Sequence, residues 1–172
     1  ETTMYQAKEM GRNSYKYFTA GMNSNLLERM TIEQKLRKAV MQSEFCLHYQ
    51  PIVDMSNGHI IGLEALIRWI DPVVGIIPPD TFITIAEETG MIETIGAWVL
   101  NQAVADLAKL NQLGFKLSVA INVSTRQCIN NQTYRFEQLL AATIKKYQVA
   151  ATDIHIEITE SMLMTDDDIN MR

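Results

Sequence analysis

Cysteine is scarce: the 172 residues hold two, Cys46 and Cys128. Two cannot build a disulfide framework, and such sparing use points to a reducing compartment. Basic residues are also in the minority, 15 Lys and Arg against 20 Asp and Glu, for a net charge of −5. Without a Lys/Arg cluster, neither DNA, RNA nor an anionic membrane surface is an expected partner. A small phosphate ligand is still admissible, because a bound cation reverses the local field. No apolar run approaches the roughly 18 residues of a membrane span, so no membrane segment is expected in this piece. Glu1-Thr2-Thr3-Met4 has neither the basic start nor the apolar stretch of a secretory signal. His48, His59 and His155 have no spacing that suggests zinc; His59 lies beside a turn, and the other two are expected to line the core. The balance of the chain, 47% hydrophobic and 20% charged residues, is the composition of a globular protein long enough to bury a core.

Periodicity then orders the chain. Residues 1–11 read as helix, 12–18 as a short strand, and 19–43 as a polar stretch leading into a helix. Thr31-Ile32-Glu33-Gln34 is a capping box for that helix, and Ile32, Leu36, Ala39 and Val40 form its apolar stripe. Residues 45–54 and 59–69 read as strands joined by Met55-Ser56-Asn57-Gly58. Asn-Gly between two β-rich runs predicts an antiparallel hairpin. The spacing next predicts helices over Pro79–Glu88 and Met91–Leu113, stopped by Gly90 and Gly114. A strand at 117–123, a helix around 134–147 and a strand at 153–159 complete the order. Strands alternating with amphipathic helices indicate parallel α/β structure. Thr165 followed by Asp166-Asp167-Asp168 reads as the capped first turn of a further helix, and both ends look cut from a longer protein.

Strand side chains alternate in direction, and each of the four long strands has one apolar and one polar face. Cys46, His48 and Gln50 share a face, as do Glu64 and Arg68, then Ser118, Asn122 and Ser124, then His155, Glu157 and Thr159. Most of these groups sit toward the C-terminal half of their strands, where α/β barrels carry their functional residues. Glu64, Asn122 and Glu157 offer the hard oxygen donors that Mg²⁺ or Mn²⁺ prefers, while Arg68 suits a phosphate and Gln50 a base. Each has a purely structural use as well: Glu64 pairing with Arg68, Asn122 capping a loop, Gln50 bridging backbone groups.

Glu64-Ala65-Leu66 within GLEALIRW, preceded by HYQPIVD, resembles the start of the EAL family of bacterial cyclic di-GMP phosphodiesterases. Three further runs agree in order: P-x-x-F-I-x-x-A-E at Pro79–Glu87, NVS-x-R-Q at Asn122–Gln127, and E-I-T-E at Glu157–Glu160. The ordered set is specific where a lone tripeptide is not. Residues 1–18 resemble the last helix and strand of a GGDEF domain. The resemblance implies the first half of a modified (β/α)₈ TIM-type barrel with an antiparallel first strand, occupying residues 44–172 after a linker and entry helix at 19–43. It implies metal-assisted hydrolysis of cyclic di-GMP to linear pGpG. Glu64, Asn122 and Glu157 would then be metal ligands for Mg²⁺ or Mn²⁺, Gln50 and Arg68 would contact the dinucleotide, and Glu160 would steady a later loop. It further implies a cytoplasmic location, with the parent protein either free or tethered to the inner membrane, and a homodimeric parent. The alternative is a degenerate EAL domain acting as a non-catalytic sensor or interaction module; a synthase activity would rest on the GGDEF domain alone. The family's Asp-Asp pair and later Lys have no counterpart here, and Asp166-Asp167-Asp168 is not that pair. A full barrel needs about 250 residues, so the isolated piece is expected to lack phosphodiesterase activity and, with an open strand edge, to self-associate, be partly disordered or form a swapped dimer.

Overall fold

The computed structural model describes residues 20–128 and 135–158. The expectations for residues 1–18, Thr159, Glu160 and Thr165–Asp168 lie outside them. The chain divides into two units, residues 1–35 and 36–172. Helix α1 (Ala20–Gln42) contributes to both. In the first unit, Leu27 and Met30 are exposed. Thr31 does not begin a helix: its hydroxyl donates to the Leu27 carbonyl at 2.8 Å, one turn back. A threonine satisfied in this way is at home inside a helix, which is why the apparent capping box falls mid-helix. In the second unit, Leu36 and Ala39 of the expected stripe are fully buried.

The alternating runs form one sheet. Strands β1 (Phe45–Val53) and β2 (Ile60–Asp71) pair antiparallel from Phe45 opposite Trp69 to Val53 opposite Ile60, as the hairpin reading expected. The turn differs in kind from a two-residue Asn-Gly link. The Asp54 carboxylate accepts hydrogen bonds from the Ser56 hydroxyl (2.7 Å), the Ser56 amide (2.8 Å) and the Asn57 side chain (2.8 Å), and these hold it below the usual carboxylate pKa. Gly58 alone in this turn adopts a positive φ, +74°. After β2 the chain makes a second, unanticipated hairpin to strand β3 (Gly75–Ile77), which pairs antiparallel with Trp69–Asp71. Buried Asp71 organises it by accepting hydrogen bonds from the Val73 and Val74 amides at 2.8 and 2.9 Å.

Two helices come next, α2 (Pro79–Thr89) and α3 (Met91–Gln112), with Gly90 at φ +80° ending one and beginning the other. Strand β4 (Ser118–Val123) returns parallel to β2, with Gly62 opposite Ser118. A β-carbon at Gly62 would lie 2.6 Å from Ser118 Oγ and 3.3 Å from the Ser118 carbonyl oxygen, so a larger residue there would have to displace the serine side chain. A short helix α4 (Thr125–Cys128), which no sequence pattern signals, then helix α5 (Phe136–Tyr147) and a single 3₁₀ turn (Ala151–Asp153) lead to β5 (Ile154–Ile158), parallel to β4. The strand order is β1-β2-β4-β5.

The apolar face of this sheet meets the helices. Ala65, Trp69, Val119, Ile121 and Val123 are buried there. Helix α3 packs on β4, α2 and α5 and buries Ile92, Ile95, Val99, Leu100, Ala103, Val104 and Leu107; a helix covered on more than one side buries more than a single face. Phe45, Trp69 and Phe82 gather at one end, with Trp69 and Phe82 edge to face at 5.6 Å between centroids. Tyr49, on the helix-covered face of β1, donates its hydroxyl to Asp106 of α3 at 2.9 Å. Burial, reinforced by that carboxylate, pushes the phenol pKa well above its usual value. Asp106 is desolvated too, which opposes its charge, but hydrogen bonds from Gln102, Lys109 and Tyr49 outweigh this and hold its pKa low. Tyr49→Phe is expected to cost about 1.5 kcal/mol at pH 7, the worth of a hydrogen bond to a charged group. A raised phenol pKa means this contribution is whole below about pH 10 and fades as pH rises through the folded value. Urea unfolding of wild type and variant at pH 7 and above pH 10 checks it; the gap in stability should narrow, and a constant gap would contradict the assignment.

Candidate active site

The opposite face of the same strands carries the polar groups. Alternation fixes which they are: Gln50 on β1, Glu64 and Arg68 on β2, Asn122 on β4, Glu157 on β5. Register fixes how they meet. Gln50 is the partner of Glu64, and Asn122 is the partner of Glu157. Partners on adjacent strands lie roughly 4.8 Å apart and project to one side. Asn122 and Glu64 go further and touch: Asn122 Nδ2 donates to Glu64 Oε1 at 2.8 Å. Glu64 is half-buried, whereas Gln50, Asn122 and Glu157 are exposed.

The structural use weighed for Glu64, pairing with Arg68, is not what the strand adopts. Among the described residues Glu64 accepts from Asn122 and does not pair with Arg68. Arg68 Nη1 instead donates to the carbonyl of its neighbour Ile67 at 2.7 Å. Four residues from Glu64 on the same strand, Arg68 stands about 13 Å along it. There it borders a cavity of about 310 Å³ with Leu66, Asp80, Glu87, Asn122 and Gln127. His48 and His155 are exposed and do not line the core. They belong by alternation to the polar face of the sheet, opposite the one on which the described helices pack.

The donor set Glu64, Asn122 and Glu157 consists of two carboxylates and an amide oxygen, the hard ligands suited to Mg²⁺ or Mn²⁺. Among the described residues no three His, Cys, Asp or Glu side chains gather as a metal cluster, so any cation here relies on the amide as well. With Nδ2 turned toward Glu64, the amide oxygen of Asn122 is left as an acceptor.

One constellation has no signal in the local sequence. Ser124, just past β4, donates its hydroxyl to Glu87 at the end of α2 at 2.7 Å. Its backbone amide donates to Gln127 Oε1 at 3.0 Å. Gln127 is 3% exposed and lies over Gly96 of α3, where any β-carbon would collide with its side-chain amide. Glu87, Ser124 and Gln127 stand in two of the motif runs, but nothing in either run shows that the two meet.

Parallel strands with helices on one face, polar groups on the other, most of them in the C-terminal half of their strands, and an antiparallel strand leading in define the opening part of a TIM-type barrel. The chain belongs to the EAL family, whose EAL domain matches residues 33–170. Among curated relatives, it is 37% identical over 169 residues to the cyclic di-GMP phosphodiesterase PdeR of Escherichia coli (strain K12), covering 98% of this chain and 25% of the relative. It is 34% identical over 172 residues to the bifunctional diguanylate cyclase/cyclic di-GMP phosphodiesterase MucR of Pseudomonas aeruginosa, covering 99% of this chain and 25% of that one. Among solved structures, the PaMucR phosphodiesterase in its c-di-GMP complex superposes with a TM-score of 0.73 at 33% identity, covering 81% of this chain and 56% of the other. The chain thus spans about a quarter of the length of these curated relatives.

Proposed function

We propose that this chain supplies one side of the active site of a metal-dependent phosphodiesterase that hydrolyses cyclic di-GMP to linear pGpG. The contact between Asn122 and Glu64, one strand from Glu157, carries the reading. It gathers oxygen donors from three successive strands of a barrel whose family includes named cyclic di-GMP phosphodiesterases. In this reading Glu64, Asn122 and Glu157 hold Mg²⁺ or Mn²⁺. When bound, the ion lowers the pKa of a water and offsets charge on the phosphoryl oxygens. The other residues bind and orient. Arg68 offers its remaining guanidinium donors to a phosphate of the dinucleotide, and the amide of Gln50, opposite Glu64, offers a donor and an acceptor to a guanine edge. Glu160 is assigned the support of a later loop beside the metal. Water adds across one phosphodiester; the P–O bond to one ribose breaks and that oxygen leaves as a hydroxyl. Residues 1–18 are assigned to the end of a GGDEF domain, a reading supported by the match to the bifunctional MucR along 99% of the chain.

The test is metal-dependent turnover by the full-length protein: activity lost in EDTA and restored by Mn²⁺ supports the reading, and turnover indifferent to EDTA overturns the metal assignment. Arg68→Ala is expected to weaken cyclic di-GMP binding by about 1.5–3 kcal/mol, the worth of a charge-assisted hydrogen bond. Calorimetric titration checks it, and wild-type affinity would remove Arg68 from the site.

A further inference from the structure

We propose that Glu87, Ser124 and Gln127, seated on Gly96, are positioning residues that hold the end of β4 so that Asn122 faces Glu64 and the bound metal. The inference rests on the phosphodiesterase reading above. Asn122 is the penultimate residue of β4, and the strand's pairing with β5 ends beside it at Val123. The chain turns there, and the first residue of the turn, Ser124, is fixed from two directions. Glu87 takes its hydroxyl at 2.7 Å, and Gln127 Oε1 takes its backbone amide at 3.0 Å. Gln127 reaches back over its own short helix because α3 presents a glycine there; no side chain fits between Gly96 and the Gln127 amide. Glu87 sits at the C-terminal end of α2, the unfavourable end of the helix dipole for a carboxylate. Its bond to Ser124 is a charge-assisted one that helps offset that placement.

The three polar groups tie α2, α3 and the β4–α4 turn together beside the cavity that Arg68, Asn122, Glu87 and Gln127 all border. None of the three needs to touch substrate. Their effect passes through the strand end to the Asn122 amide, whose direction decides whether its oxygen reaches the cation. Groups that orient a metal's ligands in this way typically change metal affinity or activity by about 10–100-fold when removed.

The experiment measures Mn²⁺ binding to the metal-free full-length protein by electron paramagnetic resonance of the free ion. It is run alongside cyclic di-GMP kinetics at limiting and saturating Mn²⁺ and a thermal melt. Ser124→Ala and Glu87→Ala are expected to weaken Mn²⁺ binding about 10-fold or more. Turnover should fall at limiting Mn²⁺ and recover at saturating Mn²⁺, with KM for cyclic di-GMP little changed. Glu87→Gln, which keeps an oxygen acceptor for Ser124, is expected to recover most of the Mn²⁺ affinity. Wild-type Mn²⁺ affinity in Ser124→Ala and Glu87→Ala overturns the inference, as does a Glu87→Gln variant no better than Glu87→Ala. A lowered melting temperature with unchanged metal affinity overturns it too, because the clasp would then serve folding alone. If wild type binds no Mn²⁺ and turns nothing over, it is the phosphodiesterase reading that fails.

Discussion

Replacing Glu64 by alanine is expected to abolish cyclic di-GMP turnover by the full-length protein at ordinary Mg²⁺ concentrations while leaving the fold in place. The residue sits in the middle of β2, paired with Gln50 on one side and Ala120 on the other. Both ladders are made by backbone groups that the substitution does not touch. The carboxylate disappears, and with it both a charged metal ligand and the acceptor for Asn122 Nδ2. Removing a group that merely orients ligands costs roughly 10–100-fold; removing a charged ligand should cost more than that. Glu64→Gln separates the two roles, since its amide oxygen can still accept from Asn122 but brings no charge. It should bind Mn²⁺ poorly despite preserving the hydrogen bond. Steady-state assays with circular dichroism as the fold control provide the check, and near-normal activity in Glu64→Ala would withdraw the metal assignment.

The largest loss of stability is expected from Trp69→Ala. Trp69 is fully buried at the end of β2, between β1 and β3, against the rings of Phe45 and Phe82. Its indole N–H donates to Glu44 at 3.1 Å. Truncation to alanine leaves a cavity and an unmatched carboxylate, for a cost of about 3–5 kcal/mol. That is a large share of the roughly 5–15 kcal/mol that holds a domain together. Trp69→Phe retains most of the ring and should lose markedly less. Because Arg68 precedes Trp69 and points to the other face, loosening this anchor should also weaken ligand binding before the protein unfolds. Urea titration is the measurement; a loss below about 1 kcal/mol would mean that the aromatic cluster is not the keystone of this end of the sheet.

How far a sequence can be read depends on the range of the interactions. Alternation along each strand is local, and by itself it separates the Glu64–Arg68 face from the Trp69 face. Asn57-Gly58 correctly implies an antiparallel pair, although Asp54 organises the turn. Local pattern also misleads. Thr31 looks like a cap because its sequence neighbours suit one, yet its hydroxyl bonds backward within a continuous helix. Residue type suggests the core for His48 and His155, although alternation places them on the polar side. Strand β3 escapes a pattern reading because a three-residue strand has no period to detect, and its turn depends on buried Asp71. The contacts that define the site span long stretches of chain: Asn122 reaches Glu64 across 58 residues, and Ser124 reaches Glu87 across 37. Side-chain types nominate such residues singly, but only the strand register shows which of them meet.

In the proposed reading Glu64, Asn122 and Glu157 serve hydrolysis rather than recognition alone. The most direct measurement is to incubate the full-length protein with cyclic di-GMP and Mn²⁺ and separate the nucleotides by chromatography over time. Conversion of cyclic di-GMP to linear pGpG, abolished in Glu64→Ala, is the expected result. Cyclic di-GMP that binds but stays intact through prolonged incubation would contradict it, and would make this EAL domain a sensor of the dinucleotide instead.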